Sequence, residues 1–88
     1  MSLHRYWFSL GNPPKYSSLG FGCGITAFNH QDAVEILNSK VFAKLEGQAP
    51  TIDSVIEDVD VNGLDQGHVI PNMGMVLVRG VWFPLGYS

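Results

Sequence analysis

The chain has a single cysteine, Cys23, in 88 residues. A lone thiol closes no intramolecular disulfide, which excludes a small secreted scaffold held by bridges. Charge is scarce as well: Asp, Glu, Lys and Arg supply 15% of the residues, against a usual ~25%. So thinly charged a surface must carry neutral and apolar groups, and that favours association. The five basic residues (Arg5, Lys15, Lys40, Lys44, Arg79) are scattered and the net charge is −3. No basic stripe is available to neutralise phosphates, so nucleic acid is not expected as a partner. No apolar run approaches the ~20 residues that span a bilayer, and no membrane partner is expected. The N-terminus lacks the basic region and apolar core of a secretory leader, and Met1-Ser2-Leu3 reads as a vector-derived extension. A cytoplasmic location is the expectation.

What is present is a folding composition. Hydrophobic residues make up 45% of the chain, with five Phe, three Tyr and two Trp. That places residues 1–88 in one globular domain, small enough to bury only about 60–65% of its unfolded surface. His4–Leu10 alternates, with Tyr6, Phe8 and Leu10 on one side and Arg5, Trp7 and Ser9 on the other, as a strand does. Gly11-Asn12-Pro13-Pro14 ends it, and a loop follows to about Gly20. Phe21, Cys23, Ile25 and Ala27 recur at period two and predict a second strand. Ile52–Val61 predicts a third, and Met75–Phe83, the most apolar, a fourth, closed by Pro84 and Gly86.

One segment reads as a helix. Asn29 suits its cap, Asp32 stands where a capping-box acid would, and Phe28 with Ala33 takes the two staple positions. Ala33, Val34, Leu37, Val41 and Leu45 form one apolar stripe, with Phe42 outside it, and Gly47 and Pro50 end the element. The order is strand, strand, helix, strand, strand. A crossover through the helix predicts parallel second and third strands, hence an α+β two-layer sandwich of one helix on a four-stranded mixed sheet. The helix is expected to pack on Phe21, Cys23, Ile25 and Ala27. A single helix covers one face, so the other is expected to meet water, a ligand or a partner, with Trp7 and Trp82 on that uncovered face as interface residues.

Five patterns carry possible chemistry. Asp58-Val-Asp60-Val-Asn62-Gly63 matches the first half of an EF-hand calcium loop, but Val69 stands where the bidentate Glu belongs. An acidic, water-facing strand ending in an Asn-Gly turn explains it at lower cost. Gly20, Gly22 and Gly24 precede the helix like a phosphate loop, yet Ile25–Phe28 separates them from its N-terminus. Glycines that admit a close aromatic ring are the simpler account. Cys23 with His68 and an acid or Asn72 has the members of a thiol nucleophile site, though Cys23 falls on the apolar face, where a thiol is inert. His4, His30 and His68 share no metal-ligand spacing, and neither metal nor cofactor is expected. The fifth pattern is the loop His68–Gly74 followed by Arg79 inside an apolar strand. A strand arginine needs water or an acid, and Glu57, Asp58 and Asp60 are the expected partners. They give either a structural ion pair or a pocket of Arg79, His68, Asn72, Asp58 and Asp60 for a small anionic ligand.

The runs Ile56-Glu-Asp-Val-Asp-Val, His68-Val-Ile-Pro-Asn-Met-Gly and Arg79-Gly-Val-Trp-Phe-Pro-Leu-Gly86, with the opening His4-Arg-Tyr-Trp-Phe, carry a resemblance that extends over most of the chain. They resemble small bacterial proteins of under 100 residues. The resemblance implies a bacterial, cytoplasmic protein and no particular activity, cofactor or partner. The functional expectation, drawn from one helix against an aromatic-rich sheet of low charge, is a non-catalytic protein acting by association, as a homodimer or accessory subunit. The alternative is a small anion-binding protein or minor enzyme at the His68–Gly74 loop and Arg79.

Overall fold

The computed structural model describes residues 2–13, 17–45 and 50–87. Met1, Pro14, Lys15 and Gly47, which bear on the leading extension, the first loop, the basic residues and the helix end, lie outside the described residues. Among the described residues four strands form one sheet: β1 (His4–Gly11), β2 (Cys23–Ala27), β3 (Thr51–Glu57) and β4 (Gly80–Phe83), in spatial order β3-β1-β2-β4. Every pairing is antiparallel, so the fold is α+β as expected but the sheet is not mixed. β2 and β3 do run in the same direction, because each pairs antiparallel with β1, which lies between them. The crossover skips a place in the sheet, and no parallel ladder forms.

The helix begins as the sequence demands. Asn29 Oδ1 accepts the Asp32 N–H at 2.8 Å, which satisfies one of the first-turn donors that have no intrahelical partner. The Asp32 carboxylate reaches one residue beyond the usual capping-box partner and accepts the Phe28 N–H at 3.0 Å. The helix α1 (His30–Ile36) passes into a π turn at Leu37–Val41 and a 3₁₀ turn at Phe42–Lys44. The apolar stripe behaves largely as read. Ala33, Leu37 and Val41 are buried, Val34 and Leu45 pack at the margin, and Ile36 and Phe42 join them.

Their counterpart on the sheet is Tyr6 and Phe8 of β1 with Cys23, Ile25 and Ala27 of β2. Phe21 is not part of it. It ends a 3₁₀ turn at Ser18–Phe21, and Gly22, with φ of 127°, redirects the chain before β2 starts. Phe21 is left exposed and stacks on His68. The strand thus starts two residues later than its alternation suggests.

The opposite face of the sheet is not open. β3 stops at Glu57, where Asp58 takes a left-handed φ of 53°, and the chain then crosses the sheet as irregular turns. Val59 and Val69, with Val61, Leu64, Met73 and Val76 at the margin, close over Trp7, Trp82 and Phe83 as a second core. The buried Thr26 hydroxyl donates to the Val76 carbonyl at 2.6 Å and ties this cover to β2. Both indoles are accordingly buried inside the chain's own second layer rather than set on an uncovered face. The expected fourth strand is shortened to Gly80–Phe83, since residues 75–79 leave the sheet to complete the cover. No helix among the described residues is long and apolar enough to cross a membrane.

Candidate functional site

Gly24 of β2 and Gly22 just before it are where the aromatic residues find room. A Cβ on Gly24 would run into Cη2, Cζ3 and Cε3 of Trp82, and one on Gly22 would lie 2.5 Å from Cζ2 of Trp7. The two indoles sit 5.8 Å apart, centroid to centroid, and Trp7 lies 5.7 Å from Phe83. The Trp82 N–H has no hydrogen-bond partner among the described residues. These glycines serve aromatic packing, on the side of the sheet away from the helix.

Arg79 does not reach the acids of β3. β3 and β4 occupy opposite edges of the sheet, three strand spacings or about 14 Å apart. Its partner is Asp32 in the first turn of α1: Nε donates to Oδ2 at 2.9 Å and an amino group donates to Oδ1, a two-pronged bond. The guanidinium also lies over the Phe28 ring, 5.7 Å from its centroid. Arg79 and the Phe28 N–H together hold the Asp32 carboxyl below the usual range. One carboxylate therefore closes the helix N-terminus and fastens β4 to it, and the guanidinium's charge is already matched.

The remaining residues of the expected pocket lie apart. His4 Nδ1 and Asp58 Oδ1 are 2.8 Å from each other at the far edge. Asp60 Oδ1 accepts the Asn62 N–H at 3.0 Å and starts a 3₁₀ turn at Val61–Gly63. Only His68 and Asn72 meet, through an Asn72 side-chain N–H donated to the His68 carbonyl at 2.8 Å. Asp65 organises that loop by accepting the Gly67 and His68 N–H groups, both at 2.8 Å, and these bonds lower its pKa. The sequence pattern gave Asp65 no such part, although an Asp two residues before a Gly is a turn signal.

Cys23 is fully buried on the helix side, where desolvation pushes its thiol up to about 12. His68 is exposed, its ring stacked on Phe21 at 4.6 Å, and its only side-chain hydrogen bond among the described residues is with Asp65. No nucleophile and base are brought together there. Among the described residues no group of three or more His, Cys, Asp or Glu is placed to hold a metal ion.

The surface feature that stands out lies beside Arg79. The sequence Met75-Val76-Leu77-Val78 has every property of a buried strand, yet Met75 and Leu77 are each 71% exposed, Val78 56% and Leu85 60%. Met75, Val78 and Leu85 share a shallow cavity of about 210 Å³ with Gly74, Arg79, Gly80 and Val81. That is small for a ligand site, which usually holds ~300–1,000 Å³. Leu77 does not line it but is the chain neighbour of Val78, and the four side chains together expose roughly a few hundred Å² of apolar surface, the scale of the largest patch on a typical monomer. A continuous apolar run reads as strand, and only the fold shows it to be surface. No family model, curated protein or solved structure matches the chain.

Proposed function

We infer that this is a cytoplasmic, non-catalytic protein that acts by association, as a homodimer through the surface formed by Met75, Leu77, Val78 and Leu85. The observation that carries this reading is the exposure of those four side chains in a chain whose two cores are otherwise closed. Burying apolar area is worth about 25 cal/mol per Å² before the costs of association. A two-fold contact uses the same patch twice. The one charge in the cavity wall is matched by Asp32 within the same chain, so two copies can approach without opposing charges. The anion-binding alternative has less support, because a ligand would have to displace Asp32 from Arg79.

Sedimentation velocity over a wide concentration range tests the reading. The parent protein should sediment as a dimer at high concentration, and Leu77→Asp should sediment as a monomer. Because Leu77 is exposed in the single chain, its replacement should move the monomer's own stability by no more than about 0.5 kcal/mol. A parent that stays a 9.7 kDa monomer throughout sinks the homodimer reading.

A further inference from the structure

The segment Asp58–Gly63 ends in the single Asn-Gly pair of the chain. That pair can react with itself. The backbone nitrogen of Gly63, having given its proton to water, attacks Cγ of Asn62 and closes a succinimide ring. The side-chain nitrogen of Asn62 leaves as ammonia, taking a proton from water. A further water then opens the ring at either carbonyl and leaves aspartate or isoaspartate at position 62. Glycine favours the reaction because a side chain in its place crowds the attacking nitrogen. The other four asparagines are followed by Pro13, His30, Ser39 and Met73, and the proline has no N–H to lose.

The fold both exposes this pair and restrains it. Asn62 and Gly63 are exposed, and a Cβ on Gly63 would meet nothing within 4 Å, so water and the ring have room. Both residues belong to the 3₁₀ turn Val61–Gly63, which Asp60 holds at two points. Its Oδ1 accepts the Asn62 N–H at 3.0 Å, and its carbonyl accepts the Gly63 N–H at 2.9 Å. The nitrogen that must attack is thereby kept protonated. Ring closure also needs the Asn62 ψ rotated well away from the about −20 to −30° of a 3₁₀ turn. The Asp60 carboxylate adds a negative charge beside a nitrogen that would itself become an anion. The closed turn is unreactive and the opened turn reactive. An exposed turn held by so few bonds lies at the low end of local stability.

We propose, independently of the Met75–Leu85 surface, that Asn62 is a site of spontaneous deamidation gated by opening of the Val61–Gly63 turn, and that the modified turn loosens the second core. The link to the core is direct. Val61 and Leu64, on either side of the pair, pack at the margin of the cluster formed by Trp7, Val59, Val69, Trp82 and Phe83. A carboxylate at position 62 stands beside the Asp60 carboxylate that caps the same turn, and their repulsion opposes its closing again. Isoaspartate also inserts a methylene into the main chain between Val61 and Leu64, so the two cannot both keep their places. Each molecule thus carries a record of how often its cover has opened.

The full chain, kept in mildly alkaline buffer, is followed by ion exchange and by fragmentation mass spectrometry, which locates each new acid. Acid should accumulate at position 62 ahead of every other asparagine, and more slowly in the folded protein than in the same chain unfolded in urea. Asp60→Ala should quicken the folded reaction about fivefold, the population change that follows loss of one capping hydrogen bond. Asp60→Asn, which keeps a side-chain acceptor, should change it less. Gly63→Ala should nearly stop the reaction and leave the melting curve in place. The modified form, separated by ion exchange, should show red-shifted indole emission with its helical dichroism unchanged. Any of five results would overturn the proposal: equal rates in the folded and unfolded chain, no acid in the folded chain while the unfolded one forms it, acid appearing first at another asparagine, a rate indifferent to Asp60→Ala, or a modified form whose indole emission matches the parent's.

Discussion

A methyl group added to β2 puts the packing of the second core to a direct test. In Gly24→Ala the new Cβ lands on the benzo ring of Trp82. Trp82 is 1% exposed and is hemmed in by Trp7, so the ring has no free volume into which to turn. Either the indole leaves its position or β2 moves away from the cover, and β2 is the strand that joins β1 to β4. Overpacking a closed core costs about 1–3 kcal/mol, and with both sides of the clash immobile the upper end applies. A loss of about 3 kcal/mol lowers the melting temperature of an 88-residue domain by roughly 12–24 °C. Thermal and urea melts followed by far-UV dichroism measure it. Gly20→Ala and Gly63→Ala are the controls, since a Cβ at either meets nothing within 4 Å, and both should stay within about 0.5 kcal/mol of the parent. Trp82→Phe shortens the ring and sacrifices no hydrogen bond of the indole among the described residues. Combined with Gly24→Ala it should recover 1 kcal/mol or more of the expected sum, the usual scale of coupling between touching residues being ~0.5–3 kcal/mol. A Gly24→Ala protein that melts within about 2 °C of the parent refutes the packing described for the second core.

Asn29→Ala removes the side-chain cap of α1 and should cost about 1 kcal/mol, visible as a lower urea midpoint. Asp32 is held in its charged form by Arg79 and the Phe28 N–H, so its stabilising contribution is present above the ordinary carboxylate range and is lost as pH falls through its lowered value. Asp32→Asn should flatten the acid limb of a stability-pH curve, and a limb unchanged by the substitution would remove Asp32 from this role. At the alkaline end, burial raises the Cys23 thiol to about 12, and burial followed by the bond to Glu57 raises the Tyr6 hydroxyl to about 12. The unfolded chain gives up these protons from pH 9.0 and 10.0, so stability should be full below that range and decline as pH climbs towards 12. Native Cys23 should resist a thiol reagent at neutral pH and react on unfolding, and rapid labelling of the folded protein would contradict its burial.

The helix was legible because its signals are local. Asn29, Asp32 and the spacing of Ala33, Leu37 and Val41 each act within a turn or two of the chain. The strands were legible as elements but not in their arrangement. Strand adjacency is decided by contacts among residues far apart in sequence, and nothing in β1 or β3 announces that β1 would lie between β2 and β3. The second core escaped for a related reason. Val59, Val61, Leu64, Val69, Met73 and Val76 follow no period, since an irregular segment presents its side chains wherever its turns direct them. Arg79 was read as a residue in need of water or an acid, and it meets Asp32. The wrong acid followed from the wrong neighbour, because Asp32 is close only once β4 is placed beside β2 and the start of α1. The exposed run at Met75–Val78 was the most misleading, since its continuous apolar character describes a strand that the fold does not make.

Both tryptophans of the chain lie on one side of the sheet, in the layer closed by Val59, Val69 and their neighbours. The helix and its aliphatic partners lie on the other side. The two halves therefore report through separate optical channels: indole emission follows the loop-covered layer, and helical dichroism follows the layer beneath α1. The cover is held to the strands by the bonds from Thr26 to Val76, from Gly74 to Trp82 and from Val59 to Arg5, and among the described residues it has no continuous ladder of its own. Partial opening would brighten or redshift the fluorescence while the helix signal stayed intact. A pair of melting curves, taken on one sample at two wavelengths, thus becomes a map of which side of the sheet lets go first.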